Sequence, residues 1–219
     1  KIQVQSDGGL IVAIISNATT IADAGAFSVG LGDMVLIKTI TITSNTATVS
    51  FVHGSNSVVF DSTYPVYLLR VVNIHNDQDD KTFRYNFTTD GSNFNVTKTT
   101  TTFRSSNYES GDNDGHQVVY RANADLAQSG NPQIWAEPGG NENDESGSGE
   151  LWIFNPSGGT FVKHFFTQFN HNSYSGKNEN YYTAGYCNTT SAITGIRYEM
   201  EGSTNIQSGT FKLYGLKDS

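Results

Sequence analysis

The 219 residues carry 13 Lys plus Arg against 21 Asp plus Glu, a formal charge of -8, so the surface repels phosphate backbones and nucleic acid is not an expected partner. Charged residues make up only 16% and aromatics 12%, and Thr, Ser, Asn and Gly abound, a balance that favours strands and tight turns over helices. The single cysteine, Cys187, excludes an intrachain disulfide, and no segment approaches the ~20 apolar residues of a spanning helix, so no membrane partner is expected.

In chain order, residues 1–33 stand apart from the rest. Lys1 to Gln5 alternate, Leu10 to Ile15 run continuously apolar, and a small-residue stretch follows from Asn17 to Asp33. An apolar run with no polar face must be covered on both sides, so this segment reads as an N-terminal arm or anchoring layer.

From Met34 the strand signals come at the short, regular spacing of an antiparallel sandwich. Val35 to Ile42 and Thr46 to His53 flank Thr43–Asn45 and read as a hairpin, and Val66 to Ile74 reads as a central strand. Phe83, Tyr85 and Phe87 alternate with polar residues up to Asp90-Gly91, a dipeptide suited to a hairpin turn, with a return strand opened by Phe94, Val96 and Lys98. Ser105 to Gly115 is turn-rich, Val118 to Gln128 fits a short helix or a strand and turn, and Gly139 to Gly149 reads as an exposed acidic loop.

Strong β signals return at Glu150 to Phe154, Thr160 to Phe169, Tyr181 to Cys187, Ile193 to Glu201 and Gly209 to Leu216. No fixed-period repeat appears. The expected fold is therefore all-β, a jelly-roll-like antiparallel β-sandwich of about ten to twelve strands over residues 34–219, preceded by the arm at 1–33.

Chemistry-bearing patterns are sparse. The five histidines, His53, His75, His116, His164 and His171, have no Gly-x-Ser-x-Gly nucleophile elbow among them. Glu137, Glu142, Asp144, Glu145 and Glu150 could supply the two carboxylates of a polysaccharide depolymerase, but most fall in a polar loop expected to be solvated, whereas catalytic acids are desolvated. Enzymatic activity is accordingly not expected. Oxygen-rich loops at Asp77, Asp79 and Asp80 and at Asp112, Asn113 and Asp114 are candidates for Ca²⁺, although neither has the distal Glu of a twelve-residue calcium loop, and no other cofactor is indicated.

Asn17, Asn86, Asn95 and Asn188 sit in Asn-x-Ser/Thr patterns, as chance produces in so Asn- and Thr-rich a chain. Tyr174, Tyr181, Tyr182 and Tyr186 accompany Asn172, Asn178 and Asn180 across an expected loop. That mix of stacking rings and adaptable amides suits sugars or a protein partner; Tyr174, Tyr181, Tyr182 and Asn178 are the candidate ligand-binding residues.

Several runs resemble a known group of proteins when taken together: Gly32 to Thr39, Val66 to His75, Glu150 to Pro156 with Phe161 to His164, Ala184 to Ile193, and the ending Ser208 to Leu216. They are similar to virion structural proteins, often described as tail-fibre-like, of phages of marine bacteria and related environmental viruses, over residues 32 to 216. The resemblance implies a place on the exterior of a phage particle, other capsid or tail proteins as partners, and a homotrimer or other symmetric assembly. It carries over no catalytic or binding residue. The expected function is a non-enzymatic capsid decoration protein or fibre module that stabilises the particle or mediates host attachment; alternatives are a carbohydrate-binding fibre tip contacting host-surface glycan, or a depolymerase.

Overall fold

The structure, a computed structural model, describes residues 3–5, 13–16, 19–23, 26–27, 34–111 and 116–217. The chain divides into two compact units, at Lys1–Val35 and Leu36–Asp218. In the first, β1 (Gln3–Gln5), β2 (Ala13–Ser16), β3 (Thr19–Asp23) and β4 (Ala26–Phe27) form a four-stranded antiparallel meander in sequence order. The expected arm is thus a small sheet of its own, and Leu10 to Val12 of the apolar run lie outside the described residues.

The second fold element is the sandwich, built from β5 (Met34–Ile42), β6 (Thr48–Val52), β7 (Val66–Asn76), β8 (Lys81–Thr88), β9 (Lys98–Tyr108), β10 (Gln117–Tyr120), β11 (Gln133–Gly139), β12 (Gly147–Phe154), β13 (Lys163–Ser173), β14 (Lys177–Cys187), β15 (Gly195–Met200) and β16 (Ile206–Leu216). The larger sheet has the order β10-β9-β14-β13-β12-β7-β16-β5 and the smaller β11-β8-β15-β6. Four neighbour pairs nest one inside the next: β5 with β16, β6 with β15, β7 with β12 and β8 with β11. That nesting, with alternate pairs assigned to opposite sheets, is the jelly-roll pattern. The remaining strands, β9, β10, β13 and β14, are insertions that widen the larger sheet from four strands to eight.

Two-residue alternation explains the core. Along β15, Ile196, Tyr198 and Met200 are buried while Arg197 and Glu199 stay partly exposed, and β13 buries Phe165, Thr167, Phe169 and His171 against outward His164, Phe166 and Gln168. Trp135 is enclosed by Phe83, Tyr198 and Phe169 at ring-centroid distances of 5.7, 5.6 and 5.4 Å. Each such aromatic pair adds roughly 0.5–1.5 kcal/mol beyond the area it buries.

Several sequence expectations are corrected. Thr43–Asn45 and Asp90-Gly91 do turn the chain, but neither closes a hairpin, because β5 and β9 lie in the larger sheet while β6 and β8 lie in the smaller. A turn signal between two alternating runs reads the same whether the second strand pairs with the first or crosses the sandwich. At Asp90 the carboxylate accepts hydrogen bonds from the Ser92 and Asn93 amides, which hold it well below the usual carboxylate range and fix the corner. The expected loop around residues 172–180 is instead the β13–β14 hairpin, with Gly176 at φ +67°. Val118 to Gln128 becomes β10 followed by a 3₁₀ turn at Ala122–Ala124, and the loop expected from Gly139 to Gly149 shrinks as both ends join strands.

Candidate ligand-binding face

The face of the larger sheet that points away from the core is ordered by strand register. One row crosses β10, β9, β14, β13, β12, β7 and β16 as Tyr120, Phe103, Tyr182, Gln168, Glu150, Arg70 and Lys212. Two residues along each strand, about 7 Å away, the next row runs Thr101, Ala184, Phe166, Trp152, Leu68 and Tyr214.

Two aromatic platforms stand on these rows. The Phe103 and Tyr182 rings lie 12° from parallel with centroids 4.9 Å apart. Trp152 and Phe166 lie 19° from parallel at 6.1 Å, with Phe154 5.8 Å from Phe166. Phe103 is 47% exposed and Phe166 45%, unusual for phenylalanine, and small exposed Thr101 and Ala184 leave low ground beside the first platform.

Amides surround the rings. Gln168 Nε2 and Asn180 Nδ2 donate to the Tyr182 hydroxyl at 3.2 and 3.0 Å, and Asn170 Nδ2 donates to Asn178 Oδ1 at 3.1 Å. Beside them a trough of about 400 Å³ is lined by Arg70, Val72, Ser148, Glu150, Gln168 and Asn170. Its two charges offset each other: Arg70 Nε lies 3.4 Å from Glu150 Oε2, and Glu150 Oε1 accepts from Trp152 Nε1 at 3.1 Å. Stacking faces flanked by amide donors and acceptors, with one compensated ion pair, suit an uncharged polyhydroxylated ligand. A further recess of about 500 Å³ near Tyr64, Asn155 and Lys217 lacks such platforms.

The four predicted ligand residues separate. Tyr182 and Asn178 point to the open face, and Tyr174 stands at the β13–β14 hairpin tip, 45% exposed. Tyr181 is corrected: alternation turns it inward, where it is fully buried, donates to the Glu137 carbonyl, and has its phenol raised well above the usual range by burial and the nearby Glu179. There it joins a buried charge cluster in which Arg104 pairs with Glu179 at 2.8 Å and His171 Nε2 lies 3.5 Å from the same carboxylate. Phe103, Trp152, Phe154, Phe166, Gln168 and Asn170 were missed by the sequence reading. For the aromatic ones, the signal that could have found them is large apolar residues on both faces of one strand, as at Phe165-Phe166 and Leu151-Trp152.

The calcium candidates have other partners. Asp77 accepts from the Asn205 amide, from Asn205 Nδ2 and from Asn45 Nδ2, which ties three loops together, and Asp79 accepts from the Asn141 amide. Asp112 and Asp114 lie outside the described residues. Among the described residues no three His, Cys, Asp or Glu side chains gather in metal-binding geometry. The carboxylates weighed for depolymerase chemistry are split, since Glu150 is on the open face of the larger sheet while Glu137, on β11 of the smaller sheet, pairs with Arg121 and Asn123.

Comparison with known proteins adds no relative: no protein-family description, curated protein or solved structure matches this chain.

Proposed function

We propose that the protein is a non-enzymatic structural module on the exterior of a bacteriophage particle, a capsid decoration or fibre module, and that the open face of its larger sheet attaches to host-surface glycan. The virion setting is supported by the resemblance of residues 32 to 216 to virion structural proteins. The attachment role is carried by one observation, the stacked Phe103–Tyr182 pair inside a network of amides, with Phe103 exposed and Tyr182 half-buried. Flat apolar rings bind the C–H face of a pyranose while neighbouring amides exchange hydrogen bonds with its hydroxyls.

The depolymerase alternative draws less support: Glu150 is engaged by Arg70 and Trp152 and Glu137 by Arg121 and Asn123, whereas glycoside hydrolysis needs two carboxyl groups facing one bond. A module without fixed-period repeats fits a globular attachment better than a shaft.

Two measurements test the proposal. Labelling of intact particles places the protein on the outside, icosahedrally for decoration or at the tail for a fibre; a protein found only inside the particle, or only in infected cells, contradicts it. Saturable binding to host surface polysaccharide, without release of reducing ends, is the expected behaviour in solution.

A further inference from the structure

The buried side chains that the open face does not use include two lysines on either side of Cys187. Lys98 on β9 and Lys163 on β13 are its cross-strand neighbours, and all three are essentially inaccessible to water. The two lysines are held differently. Lys163 Nζ donates to three carbonyls, of Phe161, Thr189 and Thr190, at 3.0, 3.4 and 2.8 Å, which satisfies an ammonium group completely. Lys98 Nζ has two acceptors, the Val96 carbonyl at 2.7 Å and the side-chain oxygen of Asn86 at 2.6 Å. Two acceptors match the two N–H bonds of a neutral amine and leave its lone pair free. Burial supports that state, lowering the Lys98 pKa to about 8.

Asn86, 2% exposed on β8, is oriented as an electrophile. Its Oδ1 accepts from the Phe87 amide at 2.9 Å, so charge developing on that oxygen already faces a fixed donor. Its Nδ2 donates to the Gly130 carbonyl at 2.9 Å, which holds the leaving nitrogen on a separate partner. Nucleophile and carbonyl are thus in contact in a site closed to water, where fixed proximity can be worth an effective concentration on the order of 10⁵–10⁸ M and hydrolysis does not compete.

We propose that Lys98 and Asn86 join in an intramolecular isopeptide bond that ties the two sheets of the sandwich together. The Lys98 lone pair forms the Nζ–Cγ bond, and the carbonyl electron pair moves onto Oδ1, facing the Phe87 N–H. The pair then returns, the Cγ–Nδ2 bond breaks, and Nδ2 leaves with a proton passed from Nζ. One amide is exchanged for another, one ammonia molecule is released, and no oxidant or cofactor takes part. The link joins β8 of the smaller sheet to β9 of the larger, at the crossing where the Asp90-Gly91 corner carries the chain between sheets.

Intact-mass measurement on the purified full chain, denatured, decides the matter. The expected result is a mass lower than the sequence mass by one ammonia molecule, with the full sequence mass restored in Asn86→Ala. Trypsin cannot cut after an acylated lysine, so residues 85–104 remain one fragment carrying the same deficit. A wild-type chain at its full sequence mass, cut normally after Lys98, overturns the proposal; because that readout is on the wild-type protein, it stands even if a variant does not fold.

Discussion

Adjacent tyrosines on one strand have opposite fates here. Tyr181 fills the core and Tyr182 the open face, so their alanine variants separate folding from binding. Tyr181→Ala removes a buried ring and a hydroxyl beside a buried charge cluster, and is expected to cost about 3–5 kcal/mol of stability. Tyr182→Ala should change stability by no more than about 1 kcal/mol while weakening glycan binding roughly tenfold, the equivalent of about 1.4 kcal/mol. Chemical denaturation alongside a binding isotherm checks both; equal loss of stability in the two variants contradicts the assignment of faces. Burial also sets the alkaline behaviour. It raises Cys187 and Tyr67 to about 12, and pushes Tyr85 and Tyr198 well above the ordinary phenol value of 10.0. Each folded-state pKa lies above its unfolded value, so these groups stabilise the fold fully below the unfolded pKa, and that contribution is lost as pH rises through the folded one. Stability should therefore hold to about pH 9 and fall between about 9 and 12, with tyrosine ionisation appearing together with unfolding. Tyrosines that all ionise near 10 in a still-folded chain would contradict this.

At the scale of elements, the last strand has the most to lose. β16 lies between β7 and β5 and buries Phe211 and Leu213 completely, so deleting Phe211 to Leu216 opens the larger sheet and removes part of the core. The expected outcome is a chain without cooperative thermal unfolding by circular dichroism; a truncated chain that melts like wild type contradicts it. This strand was legible in the sequence, as was β15, because Ile196, Tyr198 and Met200 alternate with charged residues. The β13–β14 hairpin was not legible over its outer half. There polar side chains occupy both faces: His171 and Glu179 are buried in a charge cluster and Ser173 is buried against Ser175, while Asn172, Asn178 and Asn180 face outward, so no hydrophobic alternation survives. Sheet membership was hidden for a different reason. Alternation tells which residues face a core, not from which side, so the crossings at Thr43–Asn45 and Asp90-Gly91 resembled hairpins. The binding face was half legible: the Tyr and Asn composition drew attention to Tyr182 and Asn178, but partners on β13 arrive through a hairpin with a polar outer half, and those on β9 and β12 only through pairing beyond that hairpin.

For the whole molecule, the topology and the open face belong together. A minimal jelly roll would have four strands in each sheet, and here insertions double one of them. Three of the added strands, β9, β13 and β14, carry Phe103, Phe166 and Tyr182, so the insertions supply much of the proposed attachment surface while the nested strands supply the fold. The trough beside the rings has one compensated ion pair, and an uncharged polysaccharide held by stacking and amides responds little to salt. The most direct test is equilibrium binding of the purified chain to the surface polysaccharide of the host bacterium, compared with Phe103→Ala and Tyr182→Ala variants whose melting temperatures match wild type. The account predicts saturable, salt-insensitive binding by wild type and at least roughly tenfold weaker binding by each variant, about 1.4 kcal/mol. Absence of saturable binding, or variants that bind as wild type does, would contradict it.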